Sequence, residues 1–188
     1  QKDRPVLRLL RNAHEPGKAG AIRTGLEAAR GDLIVLTDAD VLIEKEALPR
    51  ALAHFDDPRT GVVCGEQAYC ERLPQGGEAP GDACTRQGGA LMDAPDRADG
   101  LYDRVMRGLR KLESRLDSTF AVHGQMALFR KSLCLLPRPG VAADDVDLSL
   151  QARRQGFRIR YAEGARFWEA RPPTPAAARR QSKRHGMS

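Results

Sequence analysis

Residues Leu33 to Thr37 form a short apolar run that begins after Gly31-Asp32 and stops on Asp38 and Asp40, two aspartates one residue apart. Five residues are too few for a helix, and an uninterrupted apolar run of this length fits a strand covered on both faces. Such a strand needs layers above and below it, and the flanking sequence supplies helices. In HEPGKAGAIRTGLEAARGD, Ala19, Ile22, Leu26 and Ala29 recur at helical spacing and Gly31 supplies the stop. Val6 to Leu10 reads as a strand before that helix, Glu46 to Phe55 as a second helix and Gly61 to Gly65 as another core strand. Strands and helices alternating in this order predict an α/β domain with a mostly parallel sheet and helical crossovers.

The pattern breaks from about Gln67 to Asp99, where Gly, Pro and polar residues dominate and a long irregular excursion is expected. It resumes with an amphipathic helix from Leu101 to about Asp117, whose stripe is Leu101, Val105, Met106, Leu109, Leu112 and Leu116. GQMALFR follows as a strand, Asp144 to Arg154 as a helix stopped by Gly156, and FRIRYAEGARFWEA as two more strands. With 188 residues, 41% hydrophobic and 30% charged, one domain can enclose this core without disulfides or metal staples. No stretch reaches the roughly 20 apolar residues of a membrane span, and the N-terminus lacks the apolar centre of a signal peptide, so the chain itself reads as soluble and cytosolic. Cys64, Cys70, Cys84 and Cys134 form no C-x-x-C pair, which favours reduced thiols over zinc ligation or a redox motif. The formal charge of +6 favours an anionic partner: nucleic acid, a membrane surface or a phosphorylated small molecule.

In open α/β sheets ligands gather outside the carboxyl ends of the strands, which is where Asp38 and Asp40 fall. Residues two apart on an extended segment point the same way, so both carboxylates can converge on one hard cation; a turn cap beside a solvated aspartate is the other reading. Asp144, Asp145 and Asp147 crowd the start of a helix, where carboxylates either complement the helix dipole or raise one another's proton affinity as a general base requires. Lys18 opens the first helix, and Gln181 and Arg184 share a helical face in the tail.

GKAGAIRTGLEAARGDLIVLTDADV, with its G-K, A-x-G-D and D-A-D elements, resembles the family 2 glycosyltransferases, the inverting enzymes that include cellulose, chitin and hyaluronan synthases. FDDPRTGVVCGEQ looks like the strand after the family's D-x-D motif, and RLDSTFAVHGQMALFRKSL is similar to its acceptor-side G-x-x-x-x-x-R-[RK] stretch. AADDVDLSLQARRQGFRIRYAEGARFWEARPPT resembles the segment opening on [ED]-D-x-D-L, and QSKRHG stands where many processive members have Q-x-x-R-W. These matches run collinearly over nearly the whole chain. The resemblance implies a GT-A, Rossmann-like fold, a Mg2+ or Mn2+ ion, a nucleotide-sugar donor (a UDP-sugar) and a polysaccharide or glycolipid acceptor. It assigns Asp38 and Asp40 to the metal and donor, with Asp40 the direct ligand. Asp145 is the implied base with Asp144 beside it, Lys18, Gln181 and Arg184 contact the donor, and His123 and Gly124 line the acceptor side. His185 replaces the motif's tryptophan, which weakens any inference of polymer stacking there.

The chain departs from the family at its start: it lacks the first two βα units, with their P-x-x-N-E-like and uridine-contacting motifs, and begins near the third strand. A partial catalytic domain is therefore expected, inactive alone, from a longer parent attached at the cytoplasmic face of the bacterial inner membrane. Its parts would be a donor and metal half over 1–66, the excursion over 67–99, an acceptor half over 100–170 and a basic tail over 171–188. A sheet edge left open by the missing strands would invite pairing with another chain. Two other readings stand beside this one. A nucleotidyltransferase shares the sheet and its aspartates but carries a glycine-rich activating loop. A non-catalytic basic module would bind nucleic acid, yet aromatics are only 5% and do not interleave with the arginines, so no nucleic-acid partner is expected.

Overall fold

The computed structural model describes residues 7–70, 101–120, 122–138, 141 and 144–170, with the backbone alone for 101–104. Its elements are α1 (Lys18–Ala28), β1 (Leu33–Thr37), β2 (Val41–Ile43), α2 (Ala47–Leu52), β3 (Thr60–Cys70), α3 (Leu101–Leu116), β4 (Met126–Arg130), α4 (Asp144–Arg154) and β5 (Arg158–Ala170), with short 3-10 turns at Ala53–Asp56 and Lys131–Leu133. The strands form one sheet in the order β1-β4-β3-β5-β2. The α/β class and flanking helices agree with the sequence, but only the β3–β5 pairing is parallel; β1–β4, β3–β4 and β2–β5 are antiparallel. The sheet is therefore mixed. β4 inserts between β1 and β3 and runs against both, and β2 runs against β5 at the opposite edge.

β3 and β4 carry the core. Val62 and Cys64 project to one face, where Phe129, Ile159, Leu148 and Ala152 pack; Val63 projects to the other, against Ala47, Ala51, Leu128 and Phe167. β1 differs from the strand expected to be covered on both faces: it lies at an edge with β4 as its one neighbour among the described residues, and Val35 is 39% exposed. Leu7–Leu10, expected as a strand, belong to no element, and Leu7 and Leu9 are fully in solvent for want of a described strand to pair with. β3 continues to Cys70, so residues 67–70 are strand rather than the start of the excursion; the rest of that stretch to residue 99 lies outside the described residues.

FRIRYAEGARFWEA is one strand rather than two. Between the pairs Cys64↔Tyr161 and Glu66↔Arg166, β5 advances five residues while β3 advances two, and Gly164 takes up the excess at φ +73, its carbonyl held by Arg50 at 2.8 Å. In α3, Ser114 Oγ accepts from Tyr161 N (2.9 Å), and just beyond it Ser118 Oγ accepts from Ile159 N (3.1 Å), closing an edge of β5 that β2 does not reach.

Candidate active site

β1 and β2 sit at opposite edges of the sheet, so the link Asp38–Asp40 must carry the chain across its end. It can do so because β4 begins only at Met126, leaving β3 and β5 to extend past it. The segment crossed is His123–Gln125, and Thr37 Oγ1 ties the two by donating to the Gln125 carbonyl at 2.9 Å. The crossing also corrects the extended geometry expected for D-A-D: the chain turns at residues 39–40, so the parallel aim of the two carboxylates does not follow from strand periodicity.

Asp38 Oδ1 lies 3.2 Å from Lys18 Nζ. Lys18 reaches it because Gly17, at φ +111, turns the chain into α1, and because Gly20 lets the loop pass so close that a Cβ there would stand 2.0 Å from the Glu15 carbonyl oxygen. Asp40 is exposed in the turn.

Across the crossing, the Gly124 amide donates to Asp145 Oδ2 at 3.0 Å and the Val146 amide to Oδ1 at 2.9 Å, so each oxygen of that carboxylate has a backbone donor. Gly124 is required by closeness: an added Cβ would sit 3.2 Å from both Cβ and Oδ2 of Asp145. Asp144, half-buried, is held above the ordinary aspartate range by burial; the charge of Lys18 opposes this, and the carboxylates of Asp145, Asp147 and Asp38 add to it. The Lys18–Asp38 pair thus acts on Asp144 along with the acids of its own helix. Asp147 is held elsewhere. It is 2% exposed and takes Arg138 Nε at 2.8 Å, the Arg138 amide at 3.2 Å and Gln151 Nε2 at 2.9 Å. Burial pushes its carboxyl up, but these bonds prevail and hold it below the usual range.

The His123 imidazole points into the interior rather than into the cleft, meeting Phe167 edge-on at 6.0 Å. Burial, then the charge of Arg110, push it down to about 4, so it is neutral at physiological pH. Gln181 and Arg184, with His185, lie outside the described residues. Sequence reasoning missed Thr37, Arg138 and the two residues of the R-K pair. Arg130 grips the carbonyls of Thr60 (2.8 Å) and Phe55 (2.7 Å), and Lys131 caps the end of α1 through Ala29 O at 2.5 Å. Both side chains thus tie the end of β4 to backbone carbonyls between residues 29 and 60. Cys64 and Cys134 are free thiols, and burial raises Cys64 to about 12.

Among the described residues no three His, Cys, Asp or Glu side chains are arranged to hold a metal ion. Two aspartates still suit a hard cation such as Mg2+ or Mn2+, which takes one or two carboxylates and fills its shell with water and substrate phosphates. Among the described residues no helix is long and apolar enough to cross a membrane.

The five-stranded mixed sheet with flanking helices has the architecture of the GT-A fold. The profile of the family described as glycosyltransferase-like family 2 matches residues 2–188, and the chain belongs to that family. It is 24% identical over 162 residues to the poly-beta-1,6-N-acetyl-D-glucosamine synthase of Staphylococcus aureus, spanning 84% of this chain and 35% of that protein. It thus covers about a third of the length of the curated relatives it matches. In fold it resembles a mannosyltransferase from Pyrobaculum calidifontis determined with GDP-Man and Mn2+ (TM-score 0.64, 24% identity, 91% of this chain and 41% of that one).

Proposed function

We propose that this chain is the catalytic core of a longer inverting glycosyltransferase that moves a sugar from a nucleotide-sugar donor, a UDP-sugar, to a polysaccharide or glycolipid acceptor. The Gly124–Asp145 bond carries this reading. It holds the Asp145 carboxylate against the segment 123–125 that Thr37 ties to the strand leading into Asp38, which supports a site shared by these groups. A base for inversion must stand opposite the leaving group and accept the acceptor's hydroxyl proton, and geometry comes before proton affinity in choosing it. Two backbone amides hold Asp145 in one orientation, which supports it for that role.

On the donor side Asp40 and Asp38 would hold Mg2+ or Mn2+, which when bound offsets the charge building on the departing diphosphate. Lys18 adds a cation to the same group. The mannosyltransferase of like fold was determined with Mn2+ and a nucleotide sugar, and the staphylococcal relative is named for making a polysaccharide, both of which support these assignments. Gly124 would border the acceptor through its backbone. We assign His123 no direct contact with the acceptor ring, because its imidazole faces Phe167. Gln181 and Arg184 belong to the donor side, the two halves divide near residue 66, and the longer enzyme is membrane-attached at its cytoplasmic face, with this chain alone inactive.

The test is Asp145→Asn in the full-length enzyme. Transfer falls by about three orders of magnitude while nucleotide-sugar binding, read by calorimetry, holds; lost binding with intact chemistry would move Asp145 to the donor side.

A further inference from the structure

α3 is built inside out. Its exposed apolar side chains are Val105, Leu109, Leu112, Leu116 and, just beyond the helix, Phe120, which are 43% to 75% exposed, with Arg115 exposed among them, whereas Arg107, Lys111 and Ser114 turn toward the domain. Arg107 reaches Glu66, Lys111 reaches Glu163 at 2.6 Å, and Ser114 is buried against β5. The domain-facing contacts are made by a hydroxyl and ion pairs, leaving the apolar stripe uncovered by the described residues.

The charges beside this face decide what suits it. Glu163 is shared by Lys111 and Arg115, and Asp117 by Arg153 (2.9 Å) and Arg158 (3.1 Å). Each acid is thus outnumbered two to one, and both clusters keep net positive charge. Two copies meeting through this face would bring like charges together. An apolar helical face beside cationic clusters matches the surface of an anionic bilayer, where leucine and phenylalanine enter the acyl boundary while arginines meet the headgroups. We propose that α3 and Phe120 form a docking surface for an anionic lipid bilayer, a function independent of the transfer chemistry.

The experiment is vesicle flotation of the full chain with phosphatidylglycerol-containing and pure phosphatidylcholine vesicles. Wild type binds the anionic vesicles. The variant Leu109→Gln/Leu112→Gln/Leu116→Gln binds about tenfold or more weakly with unchanged circular dichroism, since three exposed leucines lose burial in the lipid. Arg115→Glu, which keeps the apolar face, weakens binding several-fold. Asp145→Asn leaves it unaltered, separating this surface from the active site. The proposal is overturned if wild type does not float, if the triple variant floats equally well, if both lipid compositions serve alike, or if the leucines prove to bury a second copy in sedimentation equilibrium.

Discussion

The two sides of the cleft are held in place by different means. The donor side rests on a sheet edge: β1 is half-exposed along its length, and Asp38 is steadied by a solvent-accessible lysine. The acceptor side rests on the sheet centre, where Leu128 in β4 is fully buried and Asp145 receives two backbone amides. Backbone donors are fixed by the fold, whereas a lysine can leave its partner when a better anion arrives. The proposed base is therefore preorganised before substrate binds, and the donor aspartates become organised by what binds to them.

The sharpest way to break this contrast is Asp40→Ala in the full-length enzyme. Metal-dependent transfer is expected to disappear, with an unfolding temperature within about 2 °C of wild type, because the side chain is exposed. Gly124→Ala comes next. Its new Cβ presses on Asp145 and is expected to lower kcat by about 100-fold with little change in KM for the donor; a selective rise in donor KM would mean that the preorganised side is the wrong one.

Replacing Asp147 by Asn tests the structural anchor, lowering the unfolding temperature by roughly 5 °C at neutral pH. Its folded proton affinity is depressed, so its contribution is present above the unfolded carboxyl's value near 4 and is lost as pH falls through the lower folded value. The wild-type advantage over the variant should vanish under acid melting. The smallest effect belongs to Asp144→Asn. Because Asp144 binds its proton more tightly when folded, wild-type stability declines as pH rises from about 4 through that higher value. The variant should melt about 1 °C higher at pH 7 and match wild type in strong acid; a lower melting temperature at pH 7 would show Asp144 to be held by bonds rather than strained by neighbours.

Period and punctuation in the sequence were enough for α1, β1, β3, α3, β4 and α4, since each has a clear repeat or a Gly stop. Strand direction was not legible, because a run such as MALFR is equally apolar whichever way it enters the sheet. AEGA reads as a turn and is a bulge, because a glycine at positive φ serves either, and the choice depends on β3 continuing alongside. At the site, the carboxylates were legible as clusters, but their division of labour was not. Asp145 and Asp147 look alike in DDVDL, and only the approach of Gly124 to one and Arg138 to the other separates them. The stripe on α3 was legible but its surroundings were not, because periodicity says which side chains share a face and nothing about what that face meets.

The bond from Thr37 to Gln125, with the five-residue register from Leu33↔Arg130 to Thr37↔Met126, makes donor aspartate and acceptor loop neighbours on adjoining strands. No hinge can operate between them without tearing that ladder. In the proposed enzyme, opening and closing would fall to loops, because the spacing between the β1 end and the segment before β4 is set at folding.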